Sequence, residues 1–224
     1  MNRLRELSAE FIGSALLTAI VIGSGIAAQQ LSPNQIGLEL LENTAATVAG
    51  LYILINVFGP ISGAHFNPIV SFADVVIGKN TLNRALAYLP AQVAGCALGA
   101  LTANAMFALP LFQLSTHHRA TSPHLLSETI ATAGLLLVIF ALSKNGGEQK
   151  KIAGSVASYI GAAYFFTSST SFANPAICVG RMLSNTFAGI APSSVPAFIG
   201  AEIIGGVLAV LFVKFLFPEK TINA

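Results

Sequence analysis

Ser62-Gly63-Ala64-His65-Phe66-Asn67-Pro68-Ile69 and, much later, Ser171-Phe172-Ala173-Asn174-Pro175-Ala176 are the two stretches that decide how this chain folds. In each, small residues and a Phe lead into Asn-Pro, and mostly apolar residues follow. Asn is a preferred N-cap and Pro is favoured at the first helical position, so Asn67 and Asn174 read as caps of short helices. The segments 60–78 and 171–183 hold these helices. About ten residues at a rise of about 1.5 Å reach roughly 15 Å, half of a bilayer core of about 30 Å. A lone Asn-Pro is usually an ordinary turn or helix start. Two of them in equivalent places, inside apolar chain, point to a pair of half-helices meeting at mid-membrane.

Composition fits that reading. Of 224 residues, 54% are hydrophobic and only 9% charged, with a mean hydropathy of +0.74. A soluble domain carries about 25% charge; this chain has too little polar surface to face water on all sides. The net charge of +2 is spread without a basic tract, which argues against nucleic acid as a partner. Cys96 and Cys178 lie apart in apolar stretches, a spacing that suits neither a metal site nor a disulfide framework.

Six segments have the roughly 20 apolar residues a spanning helix needs: 7–28, 41–59, 84–107, 125–143, 151–169 and 196–217. The first is too long for a cleaved signal and is expected to be retained. Positive charge orients them. With a cytoplasmic N-terminus, Arg3, Arg5, Lys79, Arg84, Lys144, Lys150, Lys151, Lys214 and Lys220 fall inside, against Arg119 and Arg181 outside. Both termini are then cytoplasmic, as an even number of spans requires.

The chain also repeats itself. Ala9-Glu10-Phe11-Ile12-Gly13 resembles Ser127-Glu128-Thr129-Ile130-Ala131, and Phe66-Asn67-Pro68-Ile69 resembles Ala173-Asn174-Pro175-Ala176. Pro90-Ala91-Gln92-Val93-Ala94-Gly95 resembles Gly200-Ala201-Glu202-Ile203-Ile204-Gly205. The offsets are 118, 107 and 110 residues, so order is kept along the chain. Three spans per half is an odd number, so the second half enters the membrane from the opposite side. Such inverted repeats place a transport site at the midplane. The fold expected is an all-α membrane protein of six transmembrane helices and two re-entrant half-helices, a single channel domain over 1–224 with repeats of about 1–110 and 120–220. Both half-helix N-termini direct partial positive charge at the centre, and the Asn amides can donate to a passing oxygen. That arrangement suits small neutral solutes and opposes cations.

On these motifs, together with Glu10 and Glu128, the chain resembles the aquaporin and aquaglyceroporin family over nearly its whole length. The resemblance implies buried glutamates that brace the re-entrant loops, a role falling here to Glu10 and Glu128, and a homotetramer with one pore per subunit. Glu42-Asn43-Thr44-Ala45-Ala46-Thr47, Ser115-Thr116-His117 and Thr167-Ser168-Ser169-Thr170-Ser171-Phe172-Ala173-Asn174-Pro175-Ala176 are similar to a bacterial branch associated with arsenic resistance.

The departures are specific. Ile69 stands where the first family signature has Ala, adding bulk beside a half-helix tip. Ile177 stands three residues after Asn174, where most family members carry an arginine. Counting without gaps from the two Asn residues puts the outer filter at Thr47, Ala162, Ser171 and Ile177, a wide and uncharged ring. His65 is a candidate for the cytoplasmic vestibule. These features lead to a passive channel in the inner membrane for water, glycerol-type polyols and undissociated arsenous acid or methylated arsenicals, with the lipid bilayer as its other partner and no cofactor or metal. An ion-coupled secondary transporter is the alternative, since such carriers also use inverted repeats and broken helices. No nucleophile–base pair, ligand set or carboxylate pair at usable spacing points to an enzyme.

Overall fold

The computed structural model describes residues 3–218, all-helical among those residues. Six long helices cover α1 (Arg3–Leu31), α2 (Ile36–Ser62), α4 (Leu82–Met106), α5 (Ser122–Lys144), α6 (Gln149–Phe166) and α8 (Val195–Leu216). Two short ones, α3 (Pro68–Ile77) and α7 (Pro175–Arg181), begin at the Asn-Pro pairs. Five of the long helices are long and apolar enough to cross a membrane by length and composition. The sixth, α6, has 18 residues and starts Gln149-Lys150-Lys151, so charge occupies its first turn. Its apolar length is the least of the six.

The expected segments map onto these helices with shifted ends. The span read at 151–169 stops at Phe166. The second half-helix is shorter than the roughly ten residues expected: α7 has 7 residues, against 10 in α3. Residues 182–191 return through turns instead, with the Ile190 N–H donating to the Arg181 carbonyl.

Two tight helix pairs form the frame. In α4, Gly95 and Gly99 face α1; a Cβ on them would lie 2.3 Å from the Phe11 carbonyl oxygen and 2.2 Å from that of Ala15. In α8, Gly205 faces α5 in the same manner, 2.4 Å from the Thr129 carbonyl oxygen. Backbone touches backbone in both pairs, the mode of packing that replaces hydrophobic drive when the solvent is lipid. Outside the frame, Ile12, Leu98, Ile130, Ile203, Val207 and Phe212 are exposed. An apolar belt of that extent needs lipid or another protein surface against it.

Charge gathers at the ends. Arg3 donates to the Asn83 carbonyl, Lys79 to the Ser143 hydroxyl and Lys144 to the Phe217 carbonyl, all at one end of the bundle. Arg119 donates to Phe187 and Gly189 carbonyls in the opposite loops. Lys220, counted with the basic residues, lies outside the described residues.

Gly95→Val places a side chain against the α1 backbone, which has nowhere to move. It is expected to destabilise the protein by about 3 kcal/mol, read as a large fall in Tm in detergent. A Tm equal to that of the unsubstituted protein would contradict the close α1–α4 approach.

Candidate functional site

The half-helices meet through their capping residues. Asn67 Oδ1 accepts from the Ile69 N–H at 2.9 Å, and Asn174 Oδ1 accepts from Ala176 and Ile177 N–H at 3.0 and 3.3 Å. Each side-chain amide then reaches across to the other half. Asn67 Nδ2 donates to the Ala173 carbonyl at 2.7 Å, and Asn174 Nδ2 donates to the Phe66 carbonyl at 2.8 Å. An amide nitrogen carries two N–H groups, so each Asn keeps one donor beyond its cross-brace. Both side chains line the central cavity.

The loops feeding the caps have an unusual backbone. Ala64 and Phe66 have φ of 51° and 49°, and Ser171 and Ala173 have φ of 52° and 47°. Left-handed conformations in residues with a Cβ cost free energy and persist only where the surroundings dictate them. Here buried carboxylates dictate them. Glu10 accepts from His65 N–H (3.0 Å), Phe66 N–H (2.7 Å), the Ser62 hydroxyl (2.6 Å) and Gln92 Nε2 (2.8 Å). Glu128 accepts from Phe172 N–H (3.0 Å) and Ala173 N–H (2.7 Å).

A third carboxylate does similar work and was not among the sequence candidates. Glu202, on α8 and fully buried, accepts from the Asn174 N–H at 2.9 Å and from Cys178 Sγ at 3.2 Å. Among the described residues its Oε2 meets no hydrogen-bond donor. The signal was present in the repeat, where Glu202 stands opposite Gln92, and Gln92 donates to Glu10.

The cavity has a volume of about 310 Å³ and runs past both Asn residues. Its wall is built from stripes at four-residue spacing: Thr47, Leu51 and Ile55 on α2, and Ile152, Val156, Ile160 and Tyr164 on α6. Of the expected filter residues, Thr47, Ser171 and Ile177 line it together. Ala162 does not; it is exposed on the outer side of α6. Tyr164 takes the inward position, its hydroxyl 3.3 Å from Thr47 Oγ1. Counting without gaps assumed a fixed connection between α6 and Asn174. Two residues of error turn a helical side chain by about 200°, to the opposite face. The rhythm Ile152-Val156-Ile160-Tyr164 was the available clue.

Ile69 also lies elsewhere than its sequence position suggested. It points into an apolar groove between α3 and α8, and its Cγ2 would be 2.6 Å from a Cβ on Gly206. The extra bulk is taken up by a glycine on the outside, not by the cavity. At the end near Lys79, His65 lines the cavity, with Nδ1 3.0 Å from Ser71 Oγ and Nε2 3.7 Å from Asp74 Oδ2. In the outer loop, His124 Nδ1 contacts the Arg119 carbonyl at 2.7 Å and His118 Nδ1 contacts Ser193 Oγ at 3.3 Å. Cys96 and Cys178 are buried and free.

A closed bundle whose two capping asparagines meet in one lined cavity is the arrangement of a conduit, and comparison with known proteins agrees. Residues 1–172 match the family described as Major intrinsic protein. The chain is a member of the Major intrinsic protein family. That is a family of membrane channels, not of enzymes. The chain is 42% identical over 212 residues to aquaglyceroporin AqpS of Rhizobium meliloti, covering 95% of this chain and 90% of that protein. It is 32% identical over 216 residues to aquaporin-10 of Milnesium tardigradum, of which it spans about half, 51%. In fold it is similar to the crystal structure of the aquaglyceroporin from Plasmodium falciparum, with a TM-score of 0.76 at 22% identity, covering 97% of this chain and 98% of that one.

Two substitutions check the site. Glu202→Gln supplies a donor toward Glu128 while keeping an acceptor for Asn174, and should leave stability unchanged or higher by about 1 kcal/mol. Glu202→Leu leaves the Asn174 N–H unsatisfied and should cost about 1–3 kcal/mol; equal Tm values for the two variants would refute the bracing contact. Ile69→Ala should lower stability by about 2 kcal/mol through the vacated groove yet leave solute permeability as it was. A marked rise in permeability would put Ile69 in the conduit.

Proposed function

We propose that this chain is a passive pore for small uncharged solutes, admitting water, glycerol-type polyols, and undissociated arsenous acid or its methylated forms. The observation that carries the reading is Ile177. It lines the cavity three residues after the capping Asn174, where most family members carry a fixed cation. With Thr47, Ser171 and Tyr164 it makes a ring that is uncharged and partly apolar. A ring without charge favours neutral molecules over ions. The similarity to two proteins named aquaglyceroporins supports the polyol part of this reading. The likeness of Glu42 to Thr47 and Thr167 to Ala176 to the arsenic-associated branch supports the metalloid part.

The rest of the setting follows from charge and surface. The basic residues gathered around Lys79, Lys144 and Arg3 support a cytoplasmic placement of that end, in an inner membrane with both termini inside. Two halves with matched braces form one channel domain, and the exposed apolar belt supports lipid and neighbouring copies, four to an assembly, as its surroundings. Glu10 and Glu128 act as loop braces and His65 as a vestibule residue.

Stopped-flow light scattering of proteoliposomes tests the solute reading. The protein should equilibrate glycerol and arsenous acid gradients quickly, without dependence on a proton or sodium gradient. Ile177→Arg should slow both solutes by about tenfold or more, because size discrimination at a tight ring is of that order. Passage of water alone, with no effect of the substitution, would reject Ile177 as the deciding residue; gradient dependence would favour a carrier.

A further inference from the structure

Arg181 closes α7, one turn beyond Ile177, and is 3% exposed. The ion pairs among the described residues are His65–Asp74 and Arg84–Glu6; Arg181 has none. Its Nε donates to the Ala188 carbonyl, and its Cζ sits 3.4 Å from the centroid of the Phe172 ring. Among the described residues, nothing accepts a hydrogen bond from its two terminal nitrogens, and they are not among the sealed, unpartnered atoms. The side chain lines the same cavity as Tyr164 and Ile177. A nearly buried guanidinium that Glu128 attracts through space but does not meet in an ion pair therefore presents free donors to the conduit.

The neighbourhood is built to keep that charge in place. Three successive carbonyls hold two arginines: Phe187 and Gly189 take Arg119, and Ala188 takes Arg181. Arg119 also approaches the Phe172 ring, at 5.5 Å. A cation at the last turn of a helix and over an aromatic face is favourably placed, yet an intramembrane charge remains expensive and marks a functional position by default. Helix capping and ring stacking account for the Nε and the guanidinium plane. They leave the terminal nitrogens without a structural task.

We propose that Arg181 is the electrostatic barrier of the outer pore mouth, repelling cations and hydrated protons while its terminal N–H groups bind the oxygen atoms of neutral solutes. This rests on the channel reading above. It separates two tasks along α7: Ile177 leaves the ring neutral, and Arg181, one turn outward, keeps charge out.

The experiment uses purified full-length protein in proteoliposomes, with glycerol flux followed by light scattering and proton and potassium leak followed by an entrapped pH dye and an ion-selective dye. Arg181→Gln should raise the cation leak by about tenfold or more, the scale on which a fixed charge changes ion access at a confined mouth, and should slow glycerol without abolishing its passage, since the solute loses one set of donors. Arg181→Lys retains the charge and should stay as tight as the unsubstituted protein. If the Gln variant does not assemble, Arg181→Met, similar in length and uncharged, takes its place. A Gln or Met variant that passes glycerol and remains cation-tight overturns the proposal, as does a leaky Lys variant. Failure of the unsubstituted protein to pass glycerol is a separate result, and counts against the channel reading itself.

Discussion

Backbone polar groups at the centre of a membrane have no water to bond, and everything else in this structure answers to that constraint. The N–H groups and carbonyls at the tips of α3 and α7 have to be satisfied by the protein or by the contents of the cavity they line. The pair of amide bonds, Asn67 to the Ala173 carbonyl and Asn174 to the Phe66 carbonyl, ties each tip to the other half of the chain. Neither half can satisfy its own loop at this point. The two halves are joined by hydrogen bonding at the pore axis as well as by packing around it.

Behind the tips, carboxylates impose the backbone that makes the crossing possible. Positive φ at Ala64, Phe66, Ser171 and Ala173 turns the chain from loop to half-helix within a few residues. Glu10 and Glu128 gather the N–H groups that such a turn leaves pointing away from the cavity. A charged group inside a membrane protein is tolerated when donors converge on it, and four converge on Glu10. The close glycine contacts of α1 with α4 and of α5 with α8 place those carboxylates within reach. Helix packing, loop strain and pore geometry are thus linked through one set of buried hydrogen bonds. The two halves differ in how fully they satisfy it: Gln92 completes the first half, whereas Glu202 serves Asn174 and leaves one oxygen unpartnered.

The outer half of the conduit departs from its inner half in chemistry rather than in architecture. Its ring side chains are neutral, and its cation sits on the helix end, held by a loop carbonyl and an aromatic ring. The short length of α7 makes this possible. A helix of 7 residues ends at Arg181, so residues 182–191 can fold back and offer carbonyls to it.

Much of this was legible in the residues. Asn-Pro within apolar chain signals a cap whose chemistry is local: an Asx oxygen and a proline ring need only the next few residues. Glu10 and Glu128 stand out because charge is rare in such segments, and the repeat itself pairs Gln92 with Glu202. What local chemistry cannot supply is the angular position of a helix whose connection length is unknown, and so ungapped counting points to Ala162 where the structure turns Tyr164 inward. Nor can it say which side of a half-helix faces the pore; Ile69 lies against Gly206, a contact between residues 137 positions apart in the chain. The caps, the spans and two of the three bracing acids, Glu10 and Glu128, follow from the residues alone, because each is set by neighbours along the chain or by the energy of a charge in lipid. Which side chains meet at the conduit emerges from the assembled fold, because that depends on helix rotation and on contacts between distant segments.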